Sequence, residues 1–234
     1  YEITTRLVGS EMCIRDRLLE FGFDAIVASA GAYVSANDKV IYHSVLANDK
    51  VQDMVEVLKE HGACFMLQGI NGRYVDEENA KKMRERCMRL GLDIDGALNG
   101  LTLVEHPEQM PALESGMYFD ADIPVDVMQK EVGNYIKITG ASFGKDRQMS
   151  GEMTKMGVNK ATGMQRLMDE LKIGREDTIA FGDGPNDVEM LQFAGTGVAM
   201  GNAIPAVKQY ADMVTDKIDE DGLYHAFERL HLLG

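Results

Sequence analysis

Near the end of the chain two short apolar runs, Thr178-Ile179-Ala180-Phe181 and Gly197-Val198-Ala199-Met200, flank a helix-length segment at residues 188–194. A run this short and this apolar suits a strand buried on both faces, and buried strands joined through helices pair in parallel. A further helix precedes them, because Met164, Leu167, Met168 and Leu171 recur at helical spacing. Residues 221–230 read as a terminal helix. This strand–helix–strand repetition predicts an α/β fold with a parallel sheet and crossover helices.

The other end of the chain repeats the theme less regularly. Residues 25–28 (Ala-Ile-Val-Ala) suit a buried strand leading into Ser29-Ala30-Gly31-Ala32, and residues 39–42 form a second extended piece after the turn residues Asn37-Asp38. A helix is predicted over 49–61, with Val51, Met54, Val55 and Leu58 on one face and Gly62 as its stop. Residues 65–67 follow as a strand, and 77–90 as a charged amphipathic helix closed by Gly91. From 93 to 151 the pattern is turn-rich, punctuated by Pro107, Pro111 and Pro124, and is expected to be less regular. This middle is read as a second domain inserted between two parts of the first. Residues 1–17 carry neither a signal-peptide layout nor a strand or helix period, so they are expected to be a non-native leader, with the folded chain starting near Leu18.

Charge narrows the function classes. Across 234 residues, 24 Lys+Arg against 38 Asp+Glu leave a net charge of −14. A nucleic-acid-binding face needs a basic footprint, and anionic lipid repels an acidic surface. No apolar run approaches the roughly 20 residues of a membrane span. Cys13, Cys64 and Cys87 lack the paired spacing of a zinc knuckle or a disulfide framework. The expectation is a cytoplasmic chain with no nucleic-acid or membrane partner. Its 16 methionines are read as core filling.

Chemistry concentrates in Gly182-Asp183-Gly184-Pro185-Asn186-Asp187, directly after an apolar strand. Ligands of open parallel sheets bind beyond the carboxyl ends of the strands, which is where Asp183 falls. A carboxylate there suits Mg²⁺, a hard ion that takes oxygen ligands and keeps several waters. Asn186 can donate an amide hydrogen to a phosphate oxygen, and Asp187 can cap the next helix or orient its neighbours. An isolated Gly-Asp-Gly is more often a helix-capping turn than a site. Lys160, 23 residues before Asp183, supplies the second element. It stands at the start of the helix carrying Met164 to Leu171, where it opposes the macrodipole, and beside a phosphate it would neutralise developing charge. A solvated surface lysine is the plain alternative.

Taken together, Gly157-Val158-Asn159-Lys160-Ala161-Thr162-Gly163, then Gly182 to Asp187, then Val198-Ala199-Met200-Gly201-Asn202-Ala203 resemble the haloacid-dehalogenase-like hydrolases, and within them the Cof-type phosphatase branch. The resemblance runs from about Leu18 to the end and implies a Rossmann-like parallel-sheet core at 18–45 and 154–234, with an α+β cap inserted at 46–153. It implies Mg²⁺-dependent hydrolysis of small, sugar-phosphate-like monoesters through an aspartyl-phosphate. Asp183 would be the metal ligand, Lys160 the phosphate-binding and catalytic lysine, Asn186 a substrate contact, and Asp187 the second acidic residue of the catalytic loop.

The family's nucleophile and acid/base aspartates belong to a D-x-D-G-T motif on the first strand, expected upstream of Leu18. The expectation is therefore that this chain lacks one strand–helix unit and, as given, is inactive. Ala30 stands where the family commonly has asparagine. Asp93-Ile94-Asp95-Gly96 and Asp120-Ala121-Asp122 imitate D-x-D but follow no apolar strand, and are read as turn or surface carboxylates. A phosphosugar mutase of the same superfamily and a non-catalytic phosphate-binding module remain as alternatives.

Overall fold

The computed structural model describes residues 24–37, 39–141 and 148–233, together with the backbone of Arg6–Val8. The first sheet has the order β1-β2-β3-β4. It comprises β1 (Arg6–Val8), β2 (Ala25–Ala28), β3 (Tyr33–Ala36) and β4 (Lys39–His43). All four residues of β2 are buried, as its unbroken apolar sequence requires. Two expectations are corrected here. Residues 1–17 were expected to hold no strand, yet Arg6, Leu7 and Val8 pair in parallel with Ala25, Ile26 and Val27. Leu7 and Val8 are strand formers by type, and three residues are too few to display a period. The rest of that segment lies outside the described residues. Nor is the ladder parallel throughout: β2, β3 and β4 form an antiparallel meander, because left-handed residues turn the chain back directly, Ser29–Gly31 between β2 and β3 and Asn37, at φ 49°, between β3 and β4.

The chain then enters a second body. Helix α1 (Asn48–Glu60) leads to β5 (Cys64–Gly69) and β6 (Gly72–Val75), and α2 (Glu77–Leu90) to the short α3 (Ile94–Leu98) and β7 (Leu101–Leu103). Next come β8 (Leu113–Phe119), α4 (Val125–Glu131), β9 (Ile136–Gly140) and β10 (Gly151–Lys155). The six strands form one sheet in the order β7-β6-β5-β8-β10-β9, antiparallel except for β6 and β7. The segment expected to be irregular thus supplies central strand β8, which pairs with both β5 and β10. One cluster made only of residues between Leu46 and Met153, including Phe65, Leu67, Tyr118 and Met128, is this body's core.

The last part returns to α/β order: α5 (Lys160–Leu171), β11 (Ile179–Gly182), α6 (Val188–Phe193), β12 (Thr196–Ala199), α7 (Pro205–Lys208), β13 (Met213–Val214) and α8 (Gly222–Arg229). Strands β11, β12 and β13 pair in parallel, as predicted. Helix α5 joins the two parts of this layer. Its Leu167 and Leu171 pack with Val27, Val34 and Tyr42 of the first sheet, while Met164 packs with the cluster around Ala180, Leu191 and Ala199. Burying one such leucine contributes about 1.5–3 kcal/mol. The result is an α/β fold with a Rossmann-like core and an α+β cap. No helix among the described residues is long and apolar enough to cross a membrane.

Candidate active site

Asn159 begins the site by fixing the start of α5. Its side chain accepts from the Thr162 amide at 2.8 Å, and its own amide donates to Thr162 Oγ1 at 3.0 Å, a reciprocal cap. Lys160 is therefore the first helical residue, 8% exposed. A buried ammonium at the positive end of a helix needs a counter-charge. Asp187 provides it: Lys160 Nζ donates to Asp187 Oδ1 at 2.6 Å. The other carboxylate oxygen of Asp187 accepts from the backbone amides of Asp183 and Gly184 at 3.0 and 2.9 Å. One buried carboxylate thus sets both the lysine and the turn after β11. The turn needs glycine at 182, where a Cβ would stand 2.5 Å from the Asp187 Cβ.

Asp183 is exposed at the carboxyl end of β11. Asn202, just past the neighbouring strand β12, donates to its Oδ2 at 2.8 Å and accepts from the Ile218 amide at 3.2 Å. Asn186 donates to Glu152 Oε2 of β10 at 2.8 Å, and Lys137 of β9 pairs with Glu189 of α6. These contacts bring the six-stranded sheet over the loop. They bound a narrow cleft whose lining includes Ala30, Lys137, Thr139, Glu152, Lys160 and Asn186. A larger cavity lies elsewhere, among Lys59, Phe65, Asp76, Lys82 and Glu105, and touches none of the motif residues.

For a metal, the donor set fits a hard, water-retaining cation. Asp183 offers a carboxylate at an exposed strand end, and Mg²⁺ is commonly held by one or two carboxylates with waters completing its shell. Asp187 is committed to Lys160 and two amides. Among the described residues no three His, Cys, Asp or Glu side chains gather as a closed site would require.

The structure brings Lys160, Asp183, Asn186 and Asp187 together around the turn after β11. The D-x-D imitations stand apart. Asp93 caps α3 by accepting from the Asp95 amide at 3.2 Å. Asp120 accepts from Arg86 at 3.1 Å and pairs with Arg89, and Asp122 pairs with His61 at 2.8 Å. Glu152, Lys137 and Asn202 were missed as participants. The first two lie on strands with no local motif. Asn202 is part of the third motif, but nothing in its spacing reveals that it holds Asp183.

A family model described as haloacid dehalogenase-like hydrolase matches residues 13–227. The putative phosphatase YkrA of Bacillus subtilis (strain 168) is 27% identical over 226 residues, covering 96% of this chain and 82% of YkrA. A shorter stretch of 72 residues is 56% identical to the 5-amino-6-(5-phospho-D-ribitylamino)uracil phosphatase YitU of the same bacterium, covering 31% of this chain and 27% of YitU. Among solved structures, the HAD subclass IIB sugar phosphatase BT4131 superposes with a TM-score of 0.73 at 26% identity, covering 94% of this chain and 79% of that one. A match over nearly the whole chain, on a fold that ties the three motifs together through the Lys160–Asp187 and Asn202–Asp183 hydrogen bonds, means that this chain belongs to the haloacid dehalogenase-like hydrolases, in their Cof-type branch.

Proposed function

We propose that the protein is a Mg²⁺-dependent hydrolase of small, sugar-phosphate-like monoesters. The observation that carries the reading is the buried Lys160–Asp187 pair, 2.6 Å apart, tied to the turn that presents Asp183. A lysine fixed in this way is pre-oriented, so it stabilises charge on a phosphoryl group without reorganising during the reaction. Asn186 donates its amide to a phosphate oxygen, exchanging Glu152 for substrate. Asp187 holds Lys160 charged and in place. Asp183 would hold Mg²⁺, which when bound supplies positive charge against the phosphoryl oxygens. Phosphoryl transfer to an aspartate and then to water is the route that the family suggests, and no described residue is offered as that nucleophile. Residues 46–153 act as the cap, with Lys137 and Glu152 facing the leaving group. The sugar phosphatase neighbour and the phosphatase relatives support this substrate class.

The test is release of inorganic phosphate from a panel of sugar phosphates with and without MgCl₂. With a D-x-D-G-T strand supplied upstream, turnover that needs Mg²⁺ and disappears in Lys160→Ala and Asp183→Asn is the expected result. Undiminished turnover in either variant overturns the assignment. Orthophosphate binding without turnover by the same chain would favour the binding-module reading instead.

A further inference from the structure

Glu114 lies on β8 in the six-stranded sheet, outside every motif, and is fully buried. Its Oε2 accepts from Ser29 Oγ of the first sheet's β2–β3 turn at 2.5 Å, and its Oε1 stands 2.6 Å from His43 Nε2 of β4. Gln68 of β5 donates to the same Ser29 hydroxyl at 3.0 Å. A carboxylate in the interior costs several kcal/mol unless it is well paired. Here all its partners converge on a single turn and the strand beside it.

That turn is unusual in itself. Ser29, Ala30 and Gly31 have φ of 50°, 50° and 99°, three left-handed residues in succession. Two of them carry a Cβ and resist this conformation, which persists only where the surroundings over-determine it. Gly31 is pressed so closely on the cap of α5 that a Cβ there would stand 2.0 Å from the Asn159 carbonyl oxygen and 3.3 Å from the Lys160 amide nitrogen. Gly163, one turn into α5, meets the same Gly31 backbone. Ala30 lines the cleft beside Lys160.

We infer that Glu114 is a positioning residue: from the cap sheet it clamps the left-handed Ser29–Gly31 turn, and that turn holds the start of α5 where Lys160 reaches Asp187. The inference rests on the proposed phosphate-binding role of Lys160. It links the placement of the cap sheet to the placement of the lysine through one hydroxyl–carboxylate contact.

The test uses the full chain and two readouts: acetylation of Lys160 by acetic anhydride, read by mass spectrometry, and Mg²⁺-supported binding of orthophosphate. In Glu114→Ala, Lys160 labelling should rise and orthophosphate affinity fall, each about tenfold, as for the loss of one buried hydrogen bond. Iodoacetamide labelling of buried Cys64 and Cys87 should stay at its wild-type rate. Glu114→Gln keeps an acceptor for Ser29 and should restore both readouts. Unchanged Lys160 labelling in Glu114→Ala overturns the inference, and so does a parallel rise in cysteine labelling, which marks general loosening. If Glu114→Ala does not fold, Ser29→Ala deletes only the hydroxyl, and must raise Lys160 labelling for the inference to stand. Lys160→Ala separates the two claims: unaltered phosphate affinity there removes the functional reading, while the labelling result still decides the positioning role.

Discussion

At the scale of single residues, the molecule keeps its charges inside by giving each a specific partner. Lys160 and Asp187 neutralise each other, and the remaining carboxylate oxygen is saturated by two backbone amides. Glu114 is the less comfortable case. Burial pushes its carboxyl above the ordinary 4.5, only partly offset by Ser29 and His43. A carboxyl raised on folding stabilises the native state fully below its unfolded pKa and loses that contribution as pH rises through the folded value. Relative to Glu114→Gln, the wild type should therefore lose stability as pH climbs from about 4.5. Urea midpoints for both proteins across pH 4–8 would read this, and two parallel curves would refute it. Burial likewise pushes the Cys64 thiol up to about 12. The thiolate is the reactive form, so native Cys64 should resist iodoacetamide at pH 8.5 and react only on unfolding. Fast alkylation of the folded protein would contradict this.

Elements show where local sequence is enough and where it is not. Helix α2 has an Asp76 cap that accepts from the Asn79 amide at 2.7 Å and a left-handed Gly91 at its end, so its bounds were readable from sequence. Helices α1 and α5 were readable from their apolar stripes. Strand β8 was not: Leu-Glu-Ser-Gly-Met-Tyr-Phe does not alternate, because a central strand covered on both faces has no solvent side to mark with polar residues. Its Glu114 and Gly116 read as turn chemistry, yet Gly116 is there because a Cβ would stand 2.9 Å from Leu67 Cδ2. The site divides in the same way. The loop and the lysine are spelled out by motifs, whereas Glu152, Asn202 and Glu114 act across the chain, where local periodicity says nothing. The cap of α5 gives a direct check. Removing the reciprocal hydrogen bonds in Asn159→Ala should lower stability by about 1 kcal/mol, together with weaker phosphate binding. Gly31→Ala forces a Cβ into the Asn159 carbonyl at φ 99° and should cost about 2 kcal/mol or more. Chemical denaturation measures both, and a wild-type midpoint in Gly31→Ala would mean that the turn is not clamped.

For the whole molecule, the apolar core is divided. The cluster from Leu46 to Met153 draws on no residue of the sheets on either side. A body with its own core folds by itself in the common size range of domains. Residues 46–155, expressed alone, should unfold in one cooperative transition by circular dichroism. A gradual, non-cooperative melt would show that the first sheet is needed to complete this core. Among the described residues the bodies meet through Glu114 with Ser29 and His43, Gln68 with Ser29, Glu152 with Asn186 and Lys137 with Glu189, and through Ile70 packed on Ile26, Ala28 and Tyr33.

The two places where the chain crosses between these bodies lie together. Leu46 donates its amide to the Leu113 carbonyl, and Met156 donates to the Tyr135 carbonyl, at one end of neighbouring strands in which Ser115 faces Thr154. The insertion is in that sense a cassette. Its splice points, 44–47 and 156–159, are short and adjacent, so one such insertion can be exchanged for another without rethreading the Rossmann-like core. What any replacement must rebuild is small: an acidic group at the position of Glu114 to receive the Ser29 hydroxyl, and an acceptor for the Asn186 amide where Glu152 now stands.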